Sequence, residues 1–129
     1  MLSSEKRELV IELLLNKLNC DLIYIFGSYA KNNERRNSDL DIAILTDIEI
    51  DKYDLFLLSQ KLADKINCDV DLVDLKMATT VFKAQIIQGE LVYCSDDNLK
   101  AKFELDTLRK YAKLNEEREE ILQRVWGDK

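Results

Sequence analysis

Two pairs of residues in this chain have side-chain types and a spacing that could form a catalytic site. Gly27 and Ser28 end one apolar run, and Asp39 and Asp41 open the next, with ten residues between the pairs. In a strand, Asp39 and Asp41 would share one face, with Cα atoms roughly 6.6 to 7 Å apart. Paired carboxylates suit Mg²⁺ or Mn²⁺, and a glycine turn can bring backbone N–H groups close to phosphate. The pattern predicts a metal–triphosphate site for phosphoryl or nucleotidyl transfer.

A third carboxylate is expected from the later segment CDVDLVDL, residues 68–75. Asp69 and Asp71 alternate on one face of this predicted strand, and Asp74 falls on the other. Because Asp71 lies deeper in the strand, we predict that it completes the site, with Asp69 in reserve and Asp74 as the weaker choice. Any one of these aspartates alone could equally be a solvated surface residue. Aspartate is depleted in strands, however, so several at alternating strand positions favour a site.

A small mixed α/β (α+β) fold, a sheet flanked by helices, is predicted to position these residues. Apolar spacing gives helices at 4–18, 51–66 and 78–88 and a long helix from 96 to 126, and strands at 21–26, 39–45, 68–75 and 90–94. Ser3 or Ser4 is expected to cap the first helix, Gly89 to end the third, and Ser95 to cap the last.

The domain organisation is predicted from the scarcity of chain-breaking residues. The sequence has no proline and three glycines in 129 residues, so it shows no linker or low-complexity segment. We expect one domain over 1–129, with a catalytic core at about 20–95. The connection 27–38 is too short for a parallel crossover with a full helix, which favours a mixed sheet.

The long C-terminal helical segment has two interpretations. Residues 115–120, NEEREE, contain no apolar side chain, and an apolar pattern resumes from Ile121 to Trp126. The helix could break near 115 and fold back, or it could project and bury its end against another chain, as a homo- or hetero-oligomer. A solvated charged turn in a straight helix is the plainer explanation, and a partner contact is slightly favoured.

Composition excludes several classes of site. The sequence has no histidine, so a Ser-His-Asp triad, a Cys-His pair and a histidine-containing zinc site are all excluded. Three isolated cysteines make neither a zinc ribbon nor a disulfide framework. A net charge of −6 counts against a broad nucleic-acid surface. No apolar run approaches the roughly 20 residues that span a membrane, and no signal-peptide pattern is present, so we expect a cytoplasmic protein.

The two motifs resemble those of a known family. The pattern Gly-Ser, ten residues, Asp-x-Asp, with a later strand aspartate, is similar to the nucleotidyltransferases of the DNA polymerase β superfamily. More narrowly, GSYAKN…NSDLDIAIL followed by DVDLVDLKMATTVFKAQIIQGELVYC resembles the MntA family of minimal nucleotidyltransferases, the antitoxin partners of HEPN-domain toxins. The resemblance covers about residues 20–95 and weakens in both terminal helices.

The resemblance implies transfer of AMP from ATP to a tyrosine of a partner HEPN toxin, an RNase silenced by the modification. Carried over residue by residue, Gly27 and Ser28 would hold the triphosphate. Asp39 and Asp41 would bind Mg²⁺ or Mn²⁺, and Asp71 would bind the metal nearest the acceptor and help activate its hydroxyl.

This sequence departs from the family pattern after the Gly-Ser pair. Lys31-Asn32 stands where the family often has Arg-Gly. Lysine keeps the positive charge and asparagine tolerates left-handed backbone geometry, so activity is expected to be retained. Arg35 and Arg36 could reach phosphate or a partner, although a solvated loop is the plainer explanation for at least one of them.

Two alternatives to a protein adenylyltransferase stay open at this point. One is nucleotidyl transfer to a small molecule such as an aminoglycoside, for which 129 residues leave little room to build an acceptor pocket. The other is a catalytically inactive binding module that neutralises its partner by steric contact, for which the C-terminal helix would serve.

Overall fold

The computed structural model describes residues 2–30 and 39–127. Its elements, in chain order, are α1 (Ser4–Lys17), β1 (Cys20–Phe26), β2 (Leu40–Thr46), α2 (Lys52–Ile66), β3 (Val70–Asp74), a 3-10 helix (Leu75–Met77), α3 (Thr80–Ile86), β4 (Glu90–Cys94) and α4 (Asp97–Trp126). The predicted succession of helices and strands is confirmed. No helix within the described ranges is both long and apolar enough to cross a lipid bilayer.

The four strands form a mixed sheet in the order β3-β2-β1-β4. β1 is antiparallel to β2 and to β4, whereas β2 and β3 are parallel and are joined through α2. This confirms the predicted mixed sheet. Because of these directions, β1 ends where β2 and β3 begin. We call this the site end of the sheet.

Helices cover both faces of the sheet because its inner strands are apolar on both faces. Leu40, Ile42 and Ile44 of β2 pack with residues of α1 and α2, while Ala43 packs on the opposite face with α3, α4 and the 3-10 helix. Strand side chains alternate between faces, so Asp41 shares the face of Ala43. The site end therefore meets α3 and α4 on one face and α1 and α2 on the other.

Side chains close the starts of the first and last helices. Ser3 caps α1 by accepting from the Lys6 N–H, as predicted. The prediction that Ser95 caps α4 is wrong, because Asp96 accepts from the N–H two residues on. Ser95 is engaged elsewhere: its N–H donates to the carbonyl of Asp21 and its hydroxyl to the Asp21 carboxylate. It therefore belongs to the end of the sheet.

Gly89 has a packing role in place of the predicted helix-ending role. α3 ends at Ile86 with Ile87 as its cap, and among the described glycines only Gly27 has a positive φ. A Cβ atom at Gly89 would overlap the carbonyl oxygen of Ile25. The glycine therefore allows the start of β4 to pass close to the backbone of β1.

α4 is one unbroken helix of 30 residues, which corresponds to about 45 Å. The alternative of a break near residue 115 is not observed, because charged residues such as Glu, Arg and Lys are good helix formers at exposed positions. Phe103 and Thr107 pack on the body, but every residue from Ala112 to Trp126 is exposed. The helix therefore continues unbroken with its end exposed, and burial of that end against another chain stays a prediction.

Candidate functional site

The turn after β1 requires glycine for two separate reasons. Gly27 has φ +73°, a left-handed conformation that side chains with a Cβ atom rarely adopt. In addition, a Cβ atom at Gly27 would overlap the carboxylate of Asp41. Ser28 follows in the same turn, which spans 27–30. The sequence places its smallest residue where the backbone comes closest to this carboxylate.

Strand pairing brings two of the predicted aspartates side by side. Asp41 pairs with Phe26, the last residue of β1, on one side and with Asp71 of β3 on the other. Neighbouring strands lie about 4.8 Å apart, so paired residues sit next to each other on one face. The site end thus carries Asp41 and Asp71 on neighbouring strands, with Gly27 in the turn that follows β1.

Asp41 is held in surroundings that oppose its charge. Its side chain is half-buried, and this burial is the largest reason why its pKa rises from 3.8 to about 6. The negative charges of Asp71 and then Asp39 raise the pKa further. Asp39 and Asp71 are both exposed. The three predicted carboxylates therefore act on each other electrostatically, with Asp41 at the centre.

This donor set fits a hard divalent cation. Carboxylate oxygens are the ligands that Mg²⁺ and Mn²⁺ prefer, and a cation would relieve the repulsion that raises the pKa of Asp41. Within 2–30 and 39–127, no three acidic or thiol side chains form a preassembled metal site. Mutual repulsion opposes closer approach of the carboxylates. Strand register and charge support the fit, and the residues that would hold the cation are Asp41, Asp71 and Asp39.

The other two aspartates near β3 lie in different settings. Asp69 is exposed just before β3, and its backbone carbonyl accepts from the N–H of Leu40, at 2.8 Å. Asp74 is buried and accepts from the Lys76 N–H, which caps the 3-10 helix. Its alternation places it on the face away from Asp71. Asp74 has a structural partner of its own, and Asp71 is the β3 carboxylate that lies beside Asp41.

Two aromatic rings beside the candidate site were not anticipated from the sequence. Phe26 and Phe82 pack edge to face, with ring centroids 5.6 Å apart. Phe26 is the strand partner of Asp41, so this pair covers apolar surface directly next to the carboxylate. Alternation in β1 could have placed Phe26 on the face of Tyr24, but nothing in the sequence indicated that α3 would bring Phe82 there.

Tyr29 attaches the glycine turn to the start of β3. Tyr29 and Cys68, just before β3, both pack against the cluster under α1 and α2. Burial, with Cys68 as the second cause, raises the pKa of Tyr29 above its usual value. The turn that carries Ser28 is therefore anchored to the strand that carries Asp71.

The basic residues noted in the sequence, Lys31, Arg35 and Arg36, lie outside the described residues, as does Asn32. Their predicted roles stay predictions.

Comparison with known proteins places this geometry in a family. The family model described as polymerase beta, nucleotidyltransferase matches residues 8–98. The chain is 40% identical over 123 residues to the protein adenylyltransferase MntA of Shewanella oneidensis, covering 92% of this chain and 86% of that protein.

Solved structures agree with the sequence comparison. A toxin–antitoxin crystal structure with AMP-PNP has a chain that superimposes with a TM-score of 0.83 at 36% identity, covering 92% of this chain and 97% of that one. A structure of a tri-AMPylated Shewanella oneidensis HEPN toxin in complex with its MNT antitoxin gives a TM-score of 0.77 at 33% identity, with coverages of 93% and 95%.

Proposed function

This chain belongs to the polymerase beta nucleotidyltransferases, and from that membership we propose that it transfers AMP from ATP to a tyrosine hydroxyl of a partner HEPN-family toxin, neutralising it as an antitoxin. The observation that carries the proposal is the pairing of Asp41 with Asp71 next to the Gly27 turn. The extensive similarity to a protein adenylyltransferase supports a protein as the acceptor.

Each site residue has a proposed task that follows from its place. Backbone N–H groups of the turn and the Ser28 hydroxyl would donate to the triphosphate. Asp39, Asp41 and Asp71 would hold Mg²⁺ or Mn²⁺, which when bound would supply positive charge against the triphosphate. The Phe26–Phe82 pair would keep water from one side of Asp41. Asp71, exposed at the rim, would face the acceptor.

The proposed reaction exchanges one phosphorus–oxygen bond for another. The tyrosine oxygen forms a bond to the α-phosphorus, the bond from that phosphorus to the bridging oxygen breaks, and pyrophosphate leaves. The tyrosine proton passes to a carboxylate of the site, for which Asp71 is placed best. Positioning, fixed charge and this carboxylate base supply the catalysis, since the chain contains no histidine.

We also propose a domain organisation and a cellular compartment for this protein. Residues 20–95 would form the catalytic core of one domain spanning 1–129, consistent with the family match over 8–98. ATP as substrate and three free cysteines favour the cytoplasm.

The test is mass spectrometry of the protein encoded by the neighbouring gene, the expected HEPN toxin, after incubation with ATP and Mg²⁺. We expect one or more adenylyl groups on a toxin tyrosine with the native chain, and none with Asp39→Asn or Asp41→Asn. Both variants should keep the native circular dichroism spectrum, because removing crowded negative charge does not weaken the fold. Transfer by either variant would contradict the assigned site.

Two further outcomes separate the alternatives. A double Asp39→Asn/Asp41→Asn variant that still silences the toxin would show a steric antitoxin. Transfer to an aminoglycoside in place of the toxin would show a small-molecule enzyme.

A further inference from the structure

α4 runs across the sheet towards the site end. It starts beside the beginning of β1, where Ser95 bonds to Asp21, and seven residues into the helix Glu104 accepts a 2.6 Å hydrogen bond from the Tyr24 hydroxyl in the middle of β1. α4 therefore advances in the direction of β1. It does so on the sheet face of Tyr24 and Ala43, which is also the face of Asp41.

The helix is much longer than the sheet it crosses. From Tyr24 to Phe26 the strand advances about 7 Å. From Glu104 to Trp126 the helix rises about 33 Å. Its C-terminal part, residues 114–126, must therefore extend beyond the site end of the sheet. We call this part the overhang.

The overhang exposes large apolar side chains on one side. Leu114, Ile121, Leu122, Val125 and Trp126 have exposed fractions of 42% to 74%. Helical spacing places most of them on the side where Phe103 and Thr107 contact the body. The apolar stripe that packs α4 onto the sheet thus continues past the site end without a partner within the described residues. Glu117 flanks this stripe, and the opposite side is acidic, with Glu116 and Glu120.

We propose that the overhang is the docking surface for the protein acceptor, and that it holds the acceptor so that its hydroxyl can reach the candidate site. The matching surface would be an apolar patch rimmed by basic residues, complementary to the apolar and acidic sides of the helix and to the net charge of −6. This inference rests on the proposed function, because it takes a protein as the acceptor.

Area argues against a second copy of this chain as the occupant. The overhang presents a strip about 18 Å long and about 10 Å wide, or roughly 200 Å². A stable interface buries about 800 Å² on each partner. A self-contact through the overhang alone falls well short, whereas an acceptor that also enters the candidate site gains a second contact area on the same side of the molecule.

Trp126, the only tryptophan in the chain, gives a direct readout at the tip of the overhang. The chain would be labelled with 5-fluorotryptophan, and its ¹⁹F signal followed while the purified HEPN toxin is titrated in. We expect Val125→Glu to weaken toxin binding, and raise the KM for toxin, at least about tenfold. Gln123→Glu adds the same charge on the opposite side of the helix and should bind as the native chain does. Asp41→Asn should abolish transfer but keep toxin affinity.

The outcomes distinguish this inference from the proposed function. A changed ¹⁹F signal and a selective loss with Val125→Glu support the docking surface, even if no adenylyl group is transferred and the proposed function fails. An unchanged ¹⁹F signal at saturating toxin, or native affinity in Val125→Glu, overturns the docking surface even where transfer proceeds. Absence of toxin binding overturns it too. Sedimentation that shows a native dimer lost in Val125→Glu would assign the surface to a second copy and also overturn it.

Discussion

Asp41 carries a charge that its surroundings oppose, and this makes its contribution to stability depend on pH. Its pKa rises to about 6 from 3.8, so the folded chain holds the proton more tightly than the unfolded chain does. Its stabilising contribution is complete below pH 4 and is lost as the pH rises through 6. Above pH 6 the ionised carboxylate weakens the cation-free fold.

We therefore expect Asp41→Asn to be more stable than the native chain at pH 8 in the presence of EDTA. The pKa shift, discounted because the side chain is half-exposed, corresponds to about 1 kcal/mol in the free energy of unfolding. The gain should disappear by pH 4. Urea unfolding at both pH values measures it, and Asp64→Asn, exposed on α2, should change stability little. Equal stabilities at pH 8 would contradict the electrostatic account of the site.

Gly27 should tolerate no side chain. Gly27→Ala would place a Cβ atom in a left-handed conformation and against the Asp41 carboxylate. We expect a loss of about 1 to 3 kcal/mol in the free energy of unfolding, together with loss of transfer. Ser28→Ala, in the same turn, should keep its stability and lose only affinity for ATP. Thermal unfolding and ATP titration of the two variants test this, and a fully active Gly27→Ala would rule out the close approach.

The position of helix α4 across the sheet depends on a polar contact with β1. The Tyr24 hydroxyl is buried and donates to the Glu104 carboxylate, which also lies 3.5 Å from the Lys100 ammonium. Tyr24→Phe leaves that half-buried carboxylate without its neutral donor. We expect a loss of about 1 to 2 kcal/mol, and a coupling energy of about 1 kcal/mol in a double-mutant cycle with Glu104→Gln. Asp106→Ala, which breaks an exposed pair with Lys110, should cost under about 0.5 kcal/mol.

The local sequence pattern predicts the helices and strands, but it predicts their end residues less accurately. Apolar spacing located the four α-helices and the four strands, which pack apolar side chains on one or two faces, but it did not predict the 3-10 helix. The cap of α4 was misplaced by one residue because the backbone and side chain of Ser95 bond to Asp21, a long-range contact that no local pattern shows. Gly89 was assigned to a helix end, whereas its small size is required by the passing backbone of β1.

The residues of the candidate site that belong to two sequence motifs could be predicted from the sequence. The Gly-Ser pair and the Asp-x-Asp motif predicted Gly27 and Asp41 together, and alternation selected Asp71 over Asp74. The register that sets Asp41 beside Asp71 comes from the parallel pairing of β2 with β3, which depends on how α2 packs. The Phe82 ring was unpredictable for a similar reason, since α3 reaches the site only through the tertiary fold.

The whole molecule divides into a packed body and an exposed helical extension. The sheet and both helical layers bury large apolar side chains, whereas residues 112–126 are exposed throughout. An isolated helix of that length is marginal in water, because nucleation is costly and packing supplies most helical stability. The two parts should therefore open with very different free energies.

Hydrogen exchange should show this division directly. We expect amides of β1 and β2 to exchange only when the whole chain unfolds, and amides of 115–126 to exchange with little protection, at an opening free energy near 0 to 1 kcal/mol. Saturating HEPN toxin should raise the protection of 115–126 if the overhang is its docking surface, because a helix fixed by a partner can no longer fray. Exchange mass spectrometry of the native chain and of Val125→Glu, each with and without toxin, measures both effects. Strong protection of 115–126 in the free chain would mean that the extension is already packed in solution, and would contradict its role as an open surface.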